Sequence, residues 1–278
     1  MEFSLTAFEE VLPGAWRAVA SPASINIGLV AGSSGALLID TGSTPTQGAE
    51  IRAAAEAVAG VPLIGVVVTH AHWDHYYGLA AFDDLPSYGH ENLIGALGLP
   101  RVAKEAAELG FDPAELRPPN QPLNLGKVID LGGRHAEIVH FGKGHTDGDL
   151  VVIVPDLHLI FSGDLIEQGD PPAMGPDCHL KDWPAALDGI LGLVKPDTVL
   201  VPGHGKPVDR VFAFTQRAQI SGVYGQVEHL ISQGIVEADA LAKGEWPFDA
   251  ETIAAVLPIA YQQLAAEGKV PRPQLRLL

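Results

Sequence analysis

Thr69-His70-Ala71-His72-Trp73-Asp74-His75 is the stretch whose reading decides the fold. Ahead of it runs Leu63-Ile64-Gly65-Val66-Val67-Val68, apolar and β-branched, as a strand buried on both faces reads. Three histidines and an aspartate leave the end of that strand within a few residues. His70 and His72 project to one side in an extended segment, because side chains alternate with period two. Asp74 and His75 then reach a second point nearby. Two imidazoles for one ion and an imidazole with a carboxylate for another is a common start of a dinuclear metal site. A polar surface loop that is merely histidine-rich would not follow directly on a buried strand.

Three later segments carry the same residue types at strand ends. Gly144-His145-Thr146-Asp147-Gly148-Asp149 opens a strand, Phe161-Ser162-Gly163-Asp164 closes one, and Val201-Pro202-Gly203-His204-Gly205 closes another. Glycines beside His145, Asp164 and His204 allow a sharp turn and a close backbone approach, so that one side chain points back into a shared cleft. Each alone is an ordinary turn. Four together are not.

Outward from these ends, Ser24–Val30 and Ala36–Ile39 read as a hairpin about Gly32-Ser33-Ser34-Gly35. Gln47–Ala59 reads as a helix closed by Gly60. The Pro- and Gly-rich stretch to Asn124 reads as short helices and loops. Lys127–Leu131, Ala136–Phe141, Leu150–Val154, Leu157–Phe161 and Thr198–Val201 read as strands, and Trp183–Val194, Val211–Ser232 and Thr252–Ala266 as helices. Strands with helices before, between and after them imply an α+β chain with sheets packed between helical layers.

Composition limits the function. The chain has 278 residues, is 47% hydrophobic and 18% charged, and has ample material for a core. Its 34 acidic against 17 basic residues, a formal net charge of −17, argue against nucleic-acid and anionic-membrane partners. No apolar run approaches about eighteen residues, so no membrane span is expected. The start lacks a basic region followed by an apolar one, and the single cysteine, Cys178, fits a reducing compartment. The expectation is a cytoplasmic protein acting on a small molecule, with a homo-oligomer left open.

The set His70-x-His72-x-Asp74-His75, then His145, Asp164 and His204, resembles that of the metallo-β-lactamase superfamily in order and spacing, over about residues 10 to 210. The resemblance implies an αββα four-layer sandwich, a single domain over residues 1–278 with 211–278 as a C-terminal helical extension. It implies one ion on His70, His72 and His145, another on Asp74, His75 and His204, and Asp164 bridging both. Zinc β-lactamases usually have cysteine or serine where Asp164 stands, so β-lactam hydrolysis ranks low, as does phosphodiester hydrolysis. The few basic residues after Val211 (Arg217, Lys243, Lys269, Arg272 and Arg276) do not favour a glutathione thioester.

With that ligand set, a hydroxide bridging two divalent ions would attack an ester, lactone, thioester or amide carbonyl, and Asp74 would shuttle the proton. Nitrogen and oxygen ligands suit Zn²⁺ best, with Mn²⁺ or Fe²⁺ compatible. The alternative is an iron-dependent oxidoreductase of the same fold, like a persulfide dioxygenase, using only the His70, His72 and His145 ion. Trp73, Tyr76, Tyr77 and His179 are expected to line the substrate cleft, and the 166–182 loop to form a lid. Asp40 either accepts a hydrogen bond from a ligand imidazole or is a turn residue before Thr41-Gly42.

Overall fold

The computed structural model, which describes residues 2–272, has central strands buried on both faces in both sheets, with successive side chains joining different cores. One sheet has eight strands: β1 (Ser4–Leu5), β2 (Glu9–Leu12), β3 (Ala15–Ser21), β4 (Ile25–Ala31), β5 (Ala36–Ile39), β6 (Leu63–Val67), β7 (Ser87–His90) and β8 (Gln121–Leu123). Its order is β1-β3-β4-β5-β6-β7-β8, with β2 beside β3. The first strands form antiparallel pairs, whereas β5, β6, β7 and β8 run parallel. The second sheet has five strands, β9 (Gly126–Asp130), β10 (His135–Val139), β11 (Val151–Val154), β12 (Leu159–Phe161) and β13 (Val199–Val201), in the order β13-β12-β11-β10-β9.

Helices cover the outer faces: α1 (Pro45–Ala59), α2 (Trp73–Tyr76), α3 (Asn92–Ala96) and α4 (Pro100–Leu109) on one side, α5 (Trp183–Leu191), α6 (Arg210–Ser232), α7 (Glu237–Lys243) and α8 (Ala250–Ala266) on the other. Three apolar cores follow, one for each interface between four layers. Ile27, Leu29, Leu38 and Val66 pack outward with Ile51 and Ala55 of α1. Val30, Leu37, Ile39 and Val67 face Ile138, Val152, Phe161 and Val201 between the sheets. Val151, Ile153, Ile160 and Leu200 pack outward against α5, α6 and α8. Successive residues of β5 and β11 thus belong to different cores, as the pleat requires. The architecture is the expected αββα sandwich.

Local signals set the helix ends. Thr44 accepts from the Gln47 backbone ahead of Pro45, and Gly60 closes α1 in the left-handed region at φ 68°. Asp209 and Asp249 cap α6 and α8 in the same way. Among the described residues no helix is long and apolar enough to cross a membrane. The last residues of the expected 211–278 extension, Arg276 among them, lie outside the described residues.

The sequence reading differs from the structure at two places. β1, β2 and β3 lie ahead of the hairpin, and their half-exposed pattern hides them. The stretch read as short helices and loops also contains β7 and β8, which extend the first sheet.

Candidate metal centre

The ligand-type residues meet because one edge of the sandwich gathers the strand ends. β6 ends into the Thr69–His75 loop, β12 into Asp164, β13 into His204, and the β10–β11 connection carries His145. Leu150 donates its backbone N–H to the Thr69 carbonyl at 2.8 Å, tying the last of these loops to the first. Asp149 holds the turn after His145 by accepting from the Thr146 backbone at 3.0 Å and hydroxyl at 2.7 Å. Gly203 must be glycine, since a Cβ there would lie 1.7 Å from Asp164 Oδ1. Gly163, at φ 51°, turns the chain so that Asp164 faces inward.

One group comprises His70, His72, His145 and Asp164, and a second Asp74, His75 and His204; in each, one ligand atom per residue lies within 4.8 Å of the others. Asp164 reaches both: Oδ2 is 3.6 Å from His70 Nε2 and 3.5 Å from His145 Nε2, and Oδ1 is 3.3 Å from His75 Nε2. Oδ2 is also 3.4 Å from His204 Nε2, and Asp74 Oδ2 lies 3.3 Å from the same nitrogen.

Hydrogen bonds on the far side of four of the five rings decide which nitrogen faces inward, while His145 Nδ1 is buried without a partner. His75 Nδ1 donates to Asp40 Oδ2 at 2.8 Å. Thr69 Oγ1 donates to the same oxygen at 2.9 Å and stands 3.1 Å from His70 Nδ1, from which it accepts. His204 Nδ1 donates to the Ala23 carbonyl at 3.1 Å. His72 is turned the other way: its Nε2 donates to Asp177 Oδ2 at 3.1 Å, which leaves Nδ1 inward. With each ring neutral and its outer nitrogen protonated, the inner nitrogens would meet lone pair to lone pair. His72 Nδ1 is 3.1 Å from His70 Nε2 and 2.8 Å from His145 Nε2. His75 Nε2 and Asp164 Oδ1 are buried with no hydrogen-bond partner. A cation among these atoms turns repulsion into ligation, so the donor set fits a divalent metal.

Protonation divides the histidines: burial lowers both His72 and His75, but Asp177 beside the first and Asp164 and Asp40 beside the second outweigh it and raise them, so a divalent ion must displace protons to bind there. Burial pulls His70 well below the usual imidazole range and His145 down to about 3. His204 is also lowered by burial, but the Asp164 and Asp74 carboxylates outweigh this and push it up to about 10. In a metal-free pocket the carboxylates thus draw a proton onto His204; a divalent ion replaces that charge and releases the proton.

Asp40, at φ 65°, is both a turn residue and a ligand partner; its Oδ1 also accepts from the Thr69 backbone at 2.7 Å. Trp73 lines the cleft over the centre, a cavity of about 490 Å³. Tyr76 and Tyr77 do not, which corrects the sequence expectation. Each is 1% exposed, because α2 turns them from the ligands into the outer core. Tyr76 donates to the Leu93 carbonyl at 3.2 Å, and the Tyr77 hydroxyl donates to Glu105. His179 is likewise absent from this cleft and lines a neighbouring cavity. The 166–182 segment is a packed wall more than a lid: Ile166, Met174, Cys178 and Leu180 belong to the outer core, and Glu167 pairs with His204 in a backbone bridge. Burial pushes the Cys178 thiol up to about 12, so it is a packing residue and not a nucleophile.

Three residues of the site carry no sequence signal of their own. Asp177 also pairs with Arg101 of α4, and burial pushes its carboxyl up while His72 and Arg101 together bring it below the usual range. Glu167 is 7% exposed, accepts from the Ala173 backbone at 2.8 Å and has Oε1 3.7 Å from His145 Nδ1.

The family model described as Metallo-beta-lactamase superfamily matches residues 20–204, and the chain belongs to that superfamily. It is 29% identical over 203 residues to the acyl-coenzyme A thioesterase MBLAC2 of Bos taurus, covering 64% of this chain and 72% of that one. It is 27% identical over 150 residues to a type 2 metallo-beta-lactamase of Bacillus sp. (strain 170), covering 52% of each. The match thus spans about half the length of that lactamase. Among solved structures, the metallo-beta-lactamase FIM-1 of Pseudomonas aeruginosa in its mono-zinc form superposes with a TM-score of 0.63 at 23% identity, over 78% of this chain and 94% of that one. That likeness is one of fold.

Proposed function

We propose that the protein is a dinuclear metallohydrolase, with zinc in both positions, that opens a lactone, ester or thioester carbonyl. The observation that carries this is the complete second group, Asp74, His75 and His204, sharing Asp164 with the first. A single-iron oxygenase would need only His70, His72 and His145. Asp164 in the shared position, and the thioesterase among the relatives, support a lactone, ester or thioester over a β-lactam as the substrate.

His70, His72 and His145 would hold one ion, Asp74, His75 and His204 the other, and Asp164 both. When bound, two such ions lower the pKa of a water toward neutrality and polarise a carbonyl oxygen. The protein's own groups do the rest. Asp74, 6% exposed and at the cleft, takes the proton of the attacking water and returns it to the leaving group. Asp40 and Asp177 keep His75 and His72 in the tautomers that face the metals. Trp73 and the 166–182 wall exclude bulk water from the reacting carbonyl.

The test is turnover of matched lactone, ester, thioester and β-lactam panels by protein loaded with zinc, manganese or iron, together with metal content. Carbonyl hydrolysis with two zinc ions per chain supports the proposal. One iron per chain with oxygen consumption on a persulfide contradicts it.

A further inference from the structure

A second cavity, of about 750 Å³, opens beside the metal cleft. The two share Arg101, Pro176 and Asp177 as a common wall, so a molecule with its carbonyl at the metals can extend past that wall into the second cavity. The far side is α8. Gln263 of that helix fixes it there, accepting from the Leu180 backbone at 3.1 Å and donating to the Cys178 carbonyl at 2.6 Å.

The charge of these walls is one-sided. Among the described residues Arg101 is the only lysine or arginine lining either cavity, and its guanidinium is already paired with Asp177. Glu91 and Asp147 line the second cavity, and Glu105 and Asp170 the first, where burial and Asp164 push the Glu167 carboxyl well above the usual range. The remaining surface of the second cavity is mostly amide and aliphatic, including Asn92, Gln262, Leu99 and Ile259, together with Thr146, Cys178 and His179. Such walls suit hydrogen-bonding amides on an apolar stem. They repel phosphate, for which no free cation is present among the lining residues.

Resting on the hydrolase reading above, we propose that the second cavity receives the distal arm of the substrate, and that this arm is uncharged and amide-bearing and carries no phosphate or carboxylate. The chain thereby differs in substrate class from a relative named for coenzyme A thioesters, although the bond cleaved can be the same.

The experiment compares two probes with the same sulfur and the same amide stem, S-methyl pantetheine and S-methyl coenzyme A, which differ in the phosphorylated nucleotide. Binding to the zinc-loaded full chain is measured by calorimetry at low and at physiological salt. The pantetheine probe is expected to bind at least about tenfold more tightly, with the gap narrowing as salt rises. The Glu91→Gln, Asp147→Asn double variant is expected to narrow it further by strengthening coenzyme A binding. Equal or tighter binding of the coenzyme A probe overturns the proposal, as do failure of the pantetheine probe to bind and an unchanged gap in the double variant. Hydrolysis of an S-acetyl N-acetylcysteamine thioester is followed separately. If that thioester is not hydrolysed while the pantetheine preference holds, the hydrolase reading falls and the arm specificity stands.

Discussion

The two sheets supply the metal centre in different ways. The eight-stranded sheet gives His70, His72, Asp74 and His75 from one loop at the end of one strand. The five-stranded sheet gives His145, Asp164 and His204 from three separate strand ends. The first set is placed by local backbone: β6 is buried, Asp40 holds the loop through Thr69, and His72 starts α2 as its cap. The second set exists only once the strands have assembled, with Gly163 and Gly203 allowing contacts that side chains would block. The lesson is that the loop donates most of the ligands, while the second sheet decides whether they share ions.

The largest effect is expected from breaking the shared ligand. Asp164→Ala should lower occupancy of both groups and abolish turnover, whereas His204→Ala should spare the His70, His72 and His145 group. Metal analysis of both variants checks this; two tightly held ions in Asp164→Ala would end the bridging role. Gly203→Ala removes no ligand, yet its methyl would fall on Asp164 Oδ1, so activity and metal content should drop nearly as far. Unchanged metal content there would show that the second sheet is more compliant than the close contact implies.

Next comes Asp74, the one ligand given a second task. Asp74→Asn keeps the volume and an oxygen ligand but loses the proton acceptor, so kcat should fall by at least about 10² in a folded protein, the usual worth of general acid–base help. Near-wild-type kcat would take Asp74 out of the mechanism.

A subtler contrast separates the outer partners. Asp177→Asn should weaken metal affinity by about 10- to 100-fold through His72, with a smaller loss of fold stability than Asp40→Asn, because Asp40 is 2% exposed and also anchors Thr69. Zinc competition with a chelator and thermal unfolding of the apo-protein read the two effects apart; equal stability losses would contradict the contrast.

The smallest effect is one of pH. His204, held up at about 10 in the metal-free pocket, must lose its proton to ligate, so zinc affinity should rise with pH. Between pH 6 and pH 8 the gain should reach at least about tenfold, with proton release measurable by calorimetry in buffers of different ionisation enthalpy. A pH-independent affinity would mean that the histidine is neutral before the metal arrives.

What the chain discloses in advance follows from the same division. The HxHxDH loop is legible because it sits within six residues behind a uniformly apolar strand, and Asp40 because it ends another. Asp177 is not, since it meets His72 across 105 residues and only after α4 brings Arg101 alongside. Tyr76 and Tyr77 mislead for the opposite reason: neighbours of a ligand in sequence, they are carried by one helical turn into the core. Strands β1, β2 and β8 escape because sheet edges mix exposed and buried residues and weaken the alternation, and β7 because its four residues, Ser87–His90, are short and include a glycine.

The measurement that reaches the central claim most directly is zinc stoichiometry of the metal-stripped full chain on stepwise titration, read by calorimetry and confirmed by elemental analysis. The account predicts two tightly bound ions per chain in the wild type and one in His204→Ala, with activity following the second ion. A wild-type chain that saturates at one ion, or a His204→Ala variant that still holds two, would contradict a shared two-metal centre.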